Sequence, residues 1–465
     1  MFGGRDRILA LFLAAQLVVA IAFGAVLVHA LRKPATTTTR IVSESGPVGT
    51  SAAKASAEPS TAGRAGTVTT KVVGGSAGSA GTSGVAGSGG LSDKGTGAGA
   101  TGIAAGAPLT FGSVVTQNFS ISFTASRQGT AAYLSMINAQ GGANGHKINM
   151  IYDDDEGSNS TGLNEVNSLI AQKVFALAAF NAPETEGSGL TPILDQNQIP
   201  LIGSYGESSE YMDPYAFAFT ADYVHFGYEE GKFLVQKGAK VPAFMFVDNS
   251  PDENANNEIE RGFKDGIQAA GGNPSAAVFD VVSPTNVSYS SDVTGFMQKK
   301  VDGFASILDN TGYVRLLQAQ AQNNYYPTEV ADPLFDLQSV KSQANTGSHP
   351  VYVASDLDFL ENKAPMVQQY VNAVTALGET PSYLGEAGWV DAEYLVQAID
   401  KLGTTFTRTQ LLAAVNSLSS YNNGFTAPLH ISAGKHDMNQ CIKFGEISNA
   451  VLTQVQGWTC DTETP

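Results

Sequence analysis

Cysteine is almost missing from this chain of 465 residues: there are two, Cys441 and Cys460, both near the carboxyl end. With none before residue 441, a lipid-modified cysteine near the amino terminus is excluded. The six histidines are scattered and form no metal-ligand set. No phosphate-binding Walker loop and no dinucleotide fingerprint are present. One Gly-x-Ser-x-Gly match occurs, at residues 74–78, inside a low-complexity stretch that cannot form a nucleophile elbow. A catalytic set is therefore missing, which argues against an enzyme and for a binding protein. No cofactor is expected.

Basic residues are also scarce, 26 against 43 acidic ones. The first 33 residues hold four basic and one acidic side chain, and residues 34–106 hold five and three. That leaves 17 basic and 39 acidic residues for the remainder, a formal charge of −22. A surface so negative argues against nucleic acid and anionic membrane as partners, and keeps the body soluble and monomeric.

Three unlike segments make up the chain. Residues 1–33 contain an apolar run at 8–31 with no Asp, Glu, Lys or Arg inside it, about long enough to span a bilayer. Two readings fit: an uncleaved anchor, or a signal peptide cut after Ala30. Residues 34–106 are dominated by Gly, Ala, Ser and Thr, which cannot bury enough surface to offset their ordering entropy. They read as a disordered tether with a reach on the order of 45–50 Å. Such a tether favours the anchor, placing the body at the extracytoplasmic face of the cell membrane; cleavage would make it secreted. Residues 107–465 have globular composition and are long enough for two lobes.

The globular part alternates strand and helix patterns. A strand is expected over 109–116, a helix over 126–139 and a strand over 147–152. A helix over 163–173, a strand over 174–180 and a helix over 188–198 follow, with the next strand starting at Leu201. The pattern restarts with helices over 228–238, 258–270 and 313–323, strands over 243–247, 277–282 and 304–308, and an amphipathic helix over 381–403. This alternation implies doubly wound parallel sheets. Cys441 and Cys460 flank a strand–turn–strand pattern with its turn at Ser448-Asn449. A disulfide between them is expected, buried free thiols being the alternative.

The segment INAQGGANGHKINMIYDDDE, residues 137–156, joins a helix, a Gly141-Gly142 stop, a turn and a strand that ends on Asp153, Asp154 and Asp155. Those acids read as rim electrostatics, because neighbouring strand residues point to opposite faces. With QIPLIG at 198–203, AFMFVDN at 243–249, ERGFKDGIQAAGG at 260–272 and the helix at 381–403, the segment resembles the extracytoplasmic substrate-binding proteins of the branched-chain amino acid type. The resemblance implies the type I fold: two doubly wound lobes joined by three crossover strands near 221–226, 352–356 and 428–433. It places the first lobe in 107–225 and 354–430, and the second in 226–353 and 431–465. It further implies capture of a small polar ligand, an amino acid or similar, in the interlobe cleft, and delivery to an ABC permease. A sensory ectodomain acting through a partner is the alternative.

The resemblance also places ligand contacts in loops after strand ends. In the 181–187 loop it points to Asn181, Glu184 and Thr185; Glu184 would repel a ligand carboxylate. In the 204–208 loop it points to Tyr205 and Glu207, and in the second lobe to Asp309 and Asn310. Asp332 aligns with the family's counter-ion for a ligand amine. Asn118, Ser120 and Ser122 of the first loop complete the expected set.

Overall fold

Strands and helices alternate as the sequence pattern requires, and they build two separate sheets. The structure, a computed structural model, describes residues 102–460 apart from 120, 188, 205–207, 249–252, 333–336, 345–349, 419–422 and 430–438. The expected anchor, tether and Ala30 site lie outside these residues. No helix among the described residues is long and apolar enough to cross a membrane.

The first run comprises β1 (Leu109–Val114), α1 (Thr124–Ala139), β2 (Ile148–Asp153), α2 (Asn159–Ala171), β3 (Leu177–Ala178), α3 (Thr191–Asn197), β4 (Leu201–Ile202), α4 (Ser208–Tyr211) and β5 (Ala216–Phe217). The second comprises α5 (Tyr223–Gln236), β6 (Pro242–Val247), α6 (Glu253–Ala269), β7 (Val278–Val282), α7 (Ser290–Lys299), β8 (Gly303–Ile307), α8 (Asn310–Asn323), β9 (Thr328–Ala331), α9 (Leu337–Ala344) and β10 (Val351–Ser355). Then come α10 (Pro365–Ala376), α11 (Tyr383–Asp400), α12 (Arg408–Asn416), β11 (Cys441–Ser448) and β12 (Val451–Cys460).

The first sheet has the order β2-β1-β3-β4-β5 and is parallel throughout. The second has the order β12-β11-β10-β9-β8-β6-β7. It is parallel except at its β10–β11–β12 edge, where the carboxyl-terminal hairpin pairs antiparallel. This edge is the strand–turn–strand segment expected at 441–460, and a two-residue turn can only join antiparallel strands. Cys441 and Cys460 are register partners at the open end of the hairpin and form a disulfide.

Local chemistry sets the helix ends. Ser158, Asp222, Asp309 and Ser382 each accept a backbone N–H of the first turn that follows, and Thr407 with Gln410 forms a capping box. After α1 the chain reverses on Gly142, at φ +90, where a Cβ would lie 2.0 Å from the His146 carbonyl oxygen.

Helices α10, α11 and α12 follow the second sheet in sequence but bury their side chains in the first core. Tyr370, Trp389 and Tyr394 share a cluster with Phe111, Phe180 and Phe217. Trp389 meets the Tyr133 ring edge-on at 4.9 Å, and Phe219 stacks on Tyr394 at 4.0 Å. The expected amphipathic helix at 381–403 is instead buried on nearly every face, because α1 covers the side turned from the sheet. The second sheet carries a core on each face.

The chain passes between the two sheet units three times. Ala221 lies in the first passage, but Phe226 is already in α5, and Val351–Ser355 is a strand of the second sheet itself. Beside these passages Asp356 accepts the Ala221 N–H at 2.7 Å and the Tyr383 hydroxyl. The Asn439 amide donates to the Asp356 and Phe219 carbonyls at 3.0 and 3.4 Å. One residue from each passage thus meets in a buried node.

Candidate functional site

Both sheets end on the same open space. In parallel sheets the loops after the strands' carboxyl ends are free to form a site. Here Thr116 follows β1, and Pro183 and Glu184 follow β3. Phe246 and Val247 close β6, Ile307 ends β8, and Asp332 follows β9. These residues line one cleft of about 740 Å³, open solvent included. Phe119, Ile121 and Phe123 enter it from the β1–α1 loop, Tyr223 and Phe226 from α5, and Ala255, Asn256 and Ile259 from α6.

The lining is chiefly aromatic and aliphatic. Among the described lining residues the only carboxylic acids are Glu184 and Asp332, and none is a lysine, arginine or histidine. Asp332 is 5% exposed, and its backbone N–H donates to the Ser306 carbonyl at 3.2 Å and the Tyr313 hydroxyl oxygen at 3.1 Å. That fixes the backbone from which the carboxylate projects. On the first sheet, Asn159 donates at 2.9 Å to the carbonyl of Glu184 and fixes its turn.

Behind the lining lies a residue that strand-end reasoning does not reach. Glu230 stands one turn beyond Phe226 on the same face of α5. It is 0% exposed, and neither carboxylate oxygen has a hydrogen-bond partner. Burial holds its carboxyl well above the usual range, and the Asp332 charge pushes it the same way. No cluster among the described residues is arranged to hold a metal ion. The described lining offers shape and apolar surface, with Glu184 and Asp332 among its residues.

The model of the family described as periplasmic binding protein matches residues 112–451. The chain belongs to that family. Its members are extracytoplasmic solute-binding proteins, not enzymes, and the chain has their mixed α/β fold with parallel sheets. No curated protein matches the sequence. Solved structures match its shape. A branched-chain amino acid ABC transporter protein from Thermus thermophilus with bound valine has a TM-score of 0.68 at 13% identity, covering 76% of this chain and 97% of its own. A possible leucine/isoleucine/valine-binding protein from Rhodopirellula baltica SH 1 has a TM-score of 0.66 at 17% identity, with 76% and 97% covered. A fatty acid ABC transporter substrate-binding protein from Thermomonospora curvata has a TM-score of 0.66 at 13% identity, with 76% and 93% covered. At such identities the likeness is one of fold.

The residues expected to serve this periplasmic binding protein's ligand fall into three groups. Glu184 and Asp332 line the cleft. Ser120, Tyr205 and Glu207 lie outside the described residues. The others make different contacts. Ser122 pairs with the Thr124 hydroxyl at 2.8 Å at the start of α1. Asn118 donates to Asp154 at 2.6 Å. Asn181 is buried and donates at 3.2 Å to Asp391, whose carboxyl burial raises. Thr185 donates at 2.9 Å to Asp155. Asp309 caps α8 through the Gly312 N–H at 2.6 Å, and Asn310 opens that helix. The Asp153–Asp155 acids likewise serve their own loops: Asp154 accepts from Gln117 and Glu156, and Asp155 from Gly157.

Proposed function

We propose that this chain is an extracytoplasmic solute receptor that captures a small organic molecule between two lobes and hands it to an ABC-type permease. The lobes would be residues 107–225 with 354–430, and residues 226–353 with 431–465, tethered to the membrane by the apolar amino-terminal segment. The observation that carries the reading is the cleft itself: strand ends from both sheets contribute to one lining. A ligand contacting both sides has more interactions when the lobes are closed, and that difference in affinity is what shifts the population. The closed form is then the state a permease distinguishes. Catalysis is not needed. The lining is chiefly aromatic and aliphatic, which suits a solute with an apolar part.

The test is a thermal-shift screen of the full chain against a metabolite extract, with native mass spectrometry to identify the bound mass and small-angle scattering to follow compaction. A ligand at one hundred times its Kd stabilises the folded state by about 2.7 kcal/mol. Binding that survives replacement of both Phe226 and Phe246 by alanine would remove the cleft from the reading.

A further inference from the structure

We propose that Asp356 is a positioning residue for solute capture, a carboxyl between the lobes whose proton sets how freely they rotate. This rests on the two-lobed capture reading and adds a control to it. Asp356 is 0% exposed and directly follows β10, where the chain leaves the second sheet for the first. One carboxylate oxygen accepts the Ala221 N–H of the first passage at 2.7 Å, and the other accepts the Tyr383 hydroxyl at the start of α11. Its backbone carbonyl accepts the Asn439 amide of the third passage at 3.0 Å. A single residue therefore touches both other crossings and the central helix of the first core.

The two side-chain bonds respond differently to a proton. A backbone N–H can only donate, so the Ala221 bond needs an oxygen lone pair in either state. A hydroxyl can donate or accept, so a proton on Asp356 is accommodated on the oxygen that faces Tyr383. There it replaces a charge-assisted bond by a neutral one, and charge-assisted bonds are roughly twice as strong. The ionised carboxylate thus ties α11 firmly to the second passage, and the protonated one ties it weakly. Burial favours the neutral form while the two donors favour the charged one, and burial lifts the carboxyl to about 6. The other ionisable groups around it are Tyr211, Asp222 and His225 beside the first passage, Glu386 on α11, Lys443 on β11, and Asp358 and Glu361 after β10. Lys443 pairs with Asp358 and Lys341 with Glu361, and burial holds the Glu386 carboxyl well above its usual range.

Distances between two spin labels on the full chain decide it, read without ligand as pH is varied. The labels go on Asn164→Cys in α2 and Gln298→Cys in α7, exposed positions on the two sheet units. The native cysteines are bonded to each other, so only the introduced ones react. The distance distribution should be narrow at about pH 8 and broad at about pH 5, with its midpoint near about pH 6. Asp356→Asn cannot ionise but keeps an acceptor for Ala221, and should give the broad distribution at every pH. Tyr383→Phe removes the donor and should do the same; if Asp356→Asn does not fold, this variant decides. Glu210→Gln and His225→Gln should keep the original profile. A distribution indifferent to pH, or a pH response that survives in both Asp356→Asn and Tyr383→Phe or vanishes in Glu210→Gln or His225→Gln, overturns the proposal. Each of these results leaves solute capture standing, since the metabolite screen tests it separately. One fixed distance at every pH and with the metabolite extract added overturns both.

Discussion

Replacing Gly262 by alanine should destabilise the chain, although the same change in a helix normally stabilises. Helices α5 and α6 cross with their backbones in contact. A Cβ on Gly262 would lie 1.9 Å from the Val224 carbonyl oxygen, and one on Gly266 1.9 Å from that of Tyr228. From the other side, a Cβ on Gly227 would lie 2.3 Å from the Ile259 oxygen, and one on Gly231 2.4 Å from that of Phe263. Ordinary contact begins near 3.4 Å, so an alanine at 262 must push the helices apart by the difference from 1.9 Å, about 1.5 Å. Alanine gains about 1 kcal/mol in helix propensity over glycine. Overpacking typically costs about 1–3 kcal/mol, and here the obstacle is backbone, which cannot swing away. A net loss of about 1–2 kcal/mol is expected, with a larger loss in the Gly262→Ala/Gly266→Ala pair. The control is Gly295→Ala in α7, where a Cβ meets nothing within 4 Å and the propensity gain stands alone. Scanning calorimetry should therefore give opposite signs for the two single substitutions. If both stabilise, the close approach of α5 and α6 does not hold. Because Phe226 and Ile259 lie on these helices, the Gly262 variant should also lose ligand affinity.

Stability should fall as pH rises from about 4 to 7. Burial pushes the Asp356 carboxyl up to about 6 and that of Glu210 to about 7. The folded state therefore holds protons that the unfolded chain releases near pH 4, so stability is highest while these groups stay protonated; Asp356 alone would contribute on the order of 3 kcal/mol. A flat or rising unfolding free energy across that range refutes the reasoning. Opening the Cys441–Cys460 disulfide, whose partners are 19 residues apart, should cost about 3 kcal/mol in chemical denaturation. A reduced protein as stable as the oxidised one would show that hairpin pairing alone fixes this edge. Ala450→Gly should stabilise by about 0.5–1 kcal/mol, because Ala450 sits at φ +59 in the β11–β12 turn; a loss would mean that its methyl group makes a contact worth more than the strain.

Much of the fold was legible because its punctuation is local. The Gly141-Gly142 stop, the strand into Asp153 and the helix caps act within a few residues, so sequence order suffices to find them. The hairpin turn came out one residue away, at Asn449-Ala450, since both residues have positive φ and alanine gives no signal for that. The glycines four apart at 227 and 231, and at 262 and 266, stand in plain view in the sequence. Their spacing has meaning only once α5 and α6 are known to cross. At the site, strand-end position led to Glu184 and Asp332, which are in the cleft. Asn181, Thr185 and Asp309 sit in equally suitable loops but satisfy backbone or buried carboxylates there, which is the commonest use of such residues. Phe119, Phe226 and Phe246 gave no warning, because a cleft aromatic and a core aromatic look alike in sequence. Glu230 falls in a helix interior, where an acid reads as solvated.

The passages between the two sheets connect the cleft to the rest of the molecule. Any closing motion must be absorbed where the chain crosses, and there Asp356 and Asn439 tie the three crossings to one another by hydrogen bonds. Asn439 also accepts the Cys441 N–H at 3.2 Å, so the node continues directly into the disulfide-closed hairpin of the second sheet. Tyr383, which donates to Asp356, starts α11, the helix at the centre of the first core. The node is thus anchored on one side in each unit. Such an arrangement favours rotation of two rigid bodies about a narrow axis over bending within either sheet, because bending would break buried hydrogen bonds whose donors have no water to turn to. The first passage runs from Ala221 straight into Tyr223 and Phe226, so a rotation at the node would move the aromatic wall of the cleft without an intervening loop to absorb it.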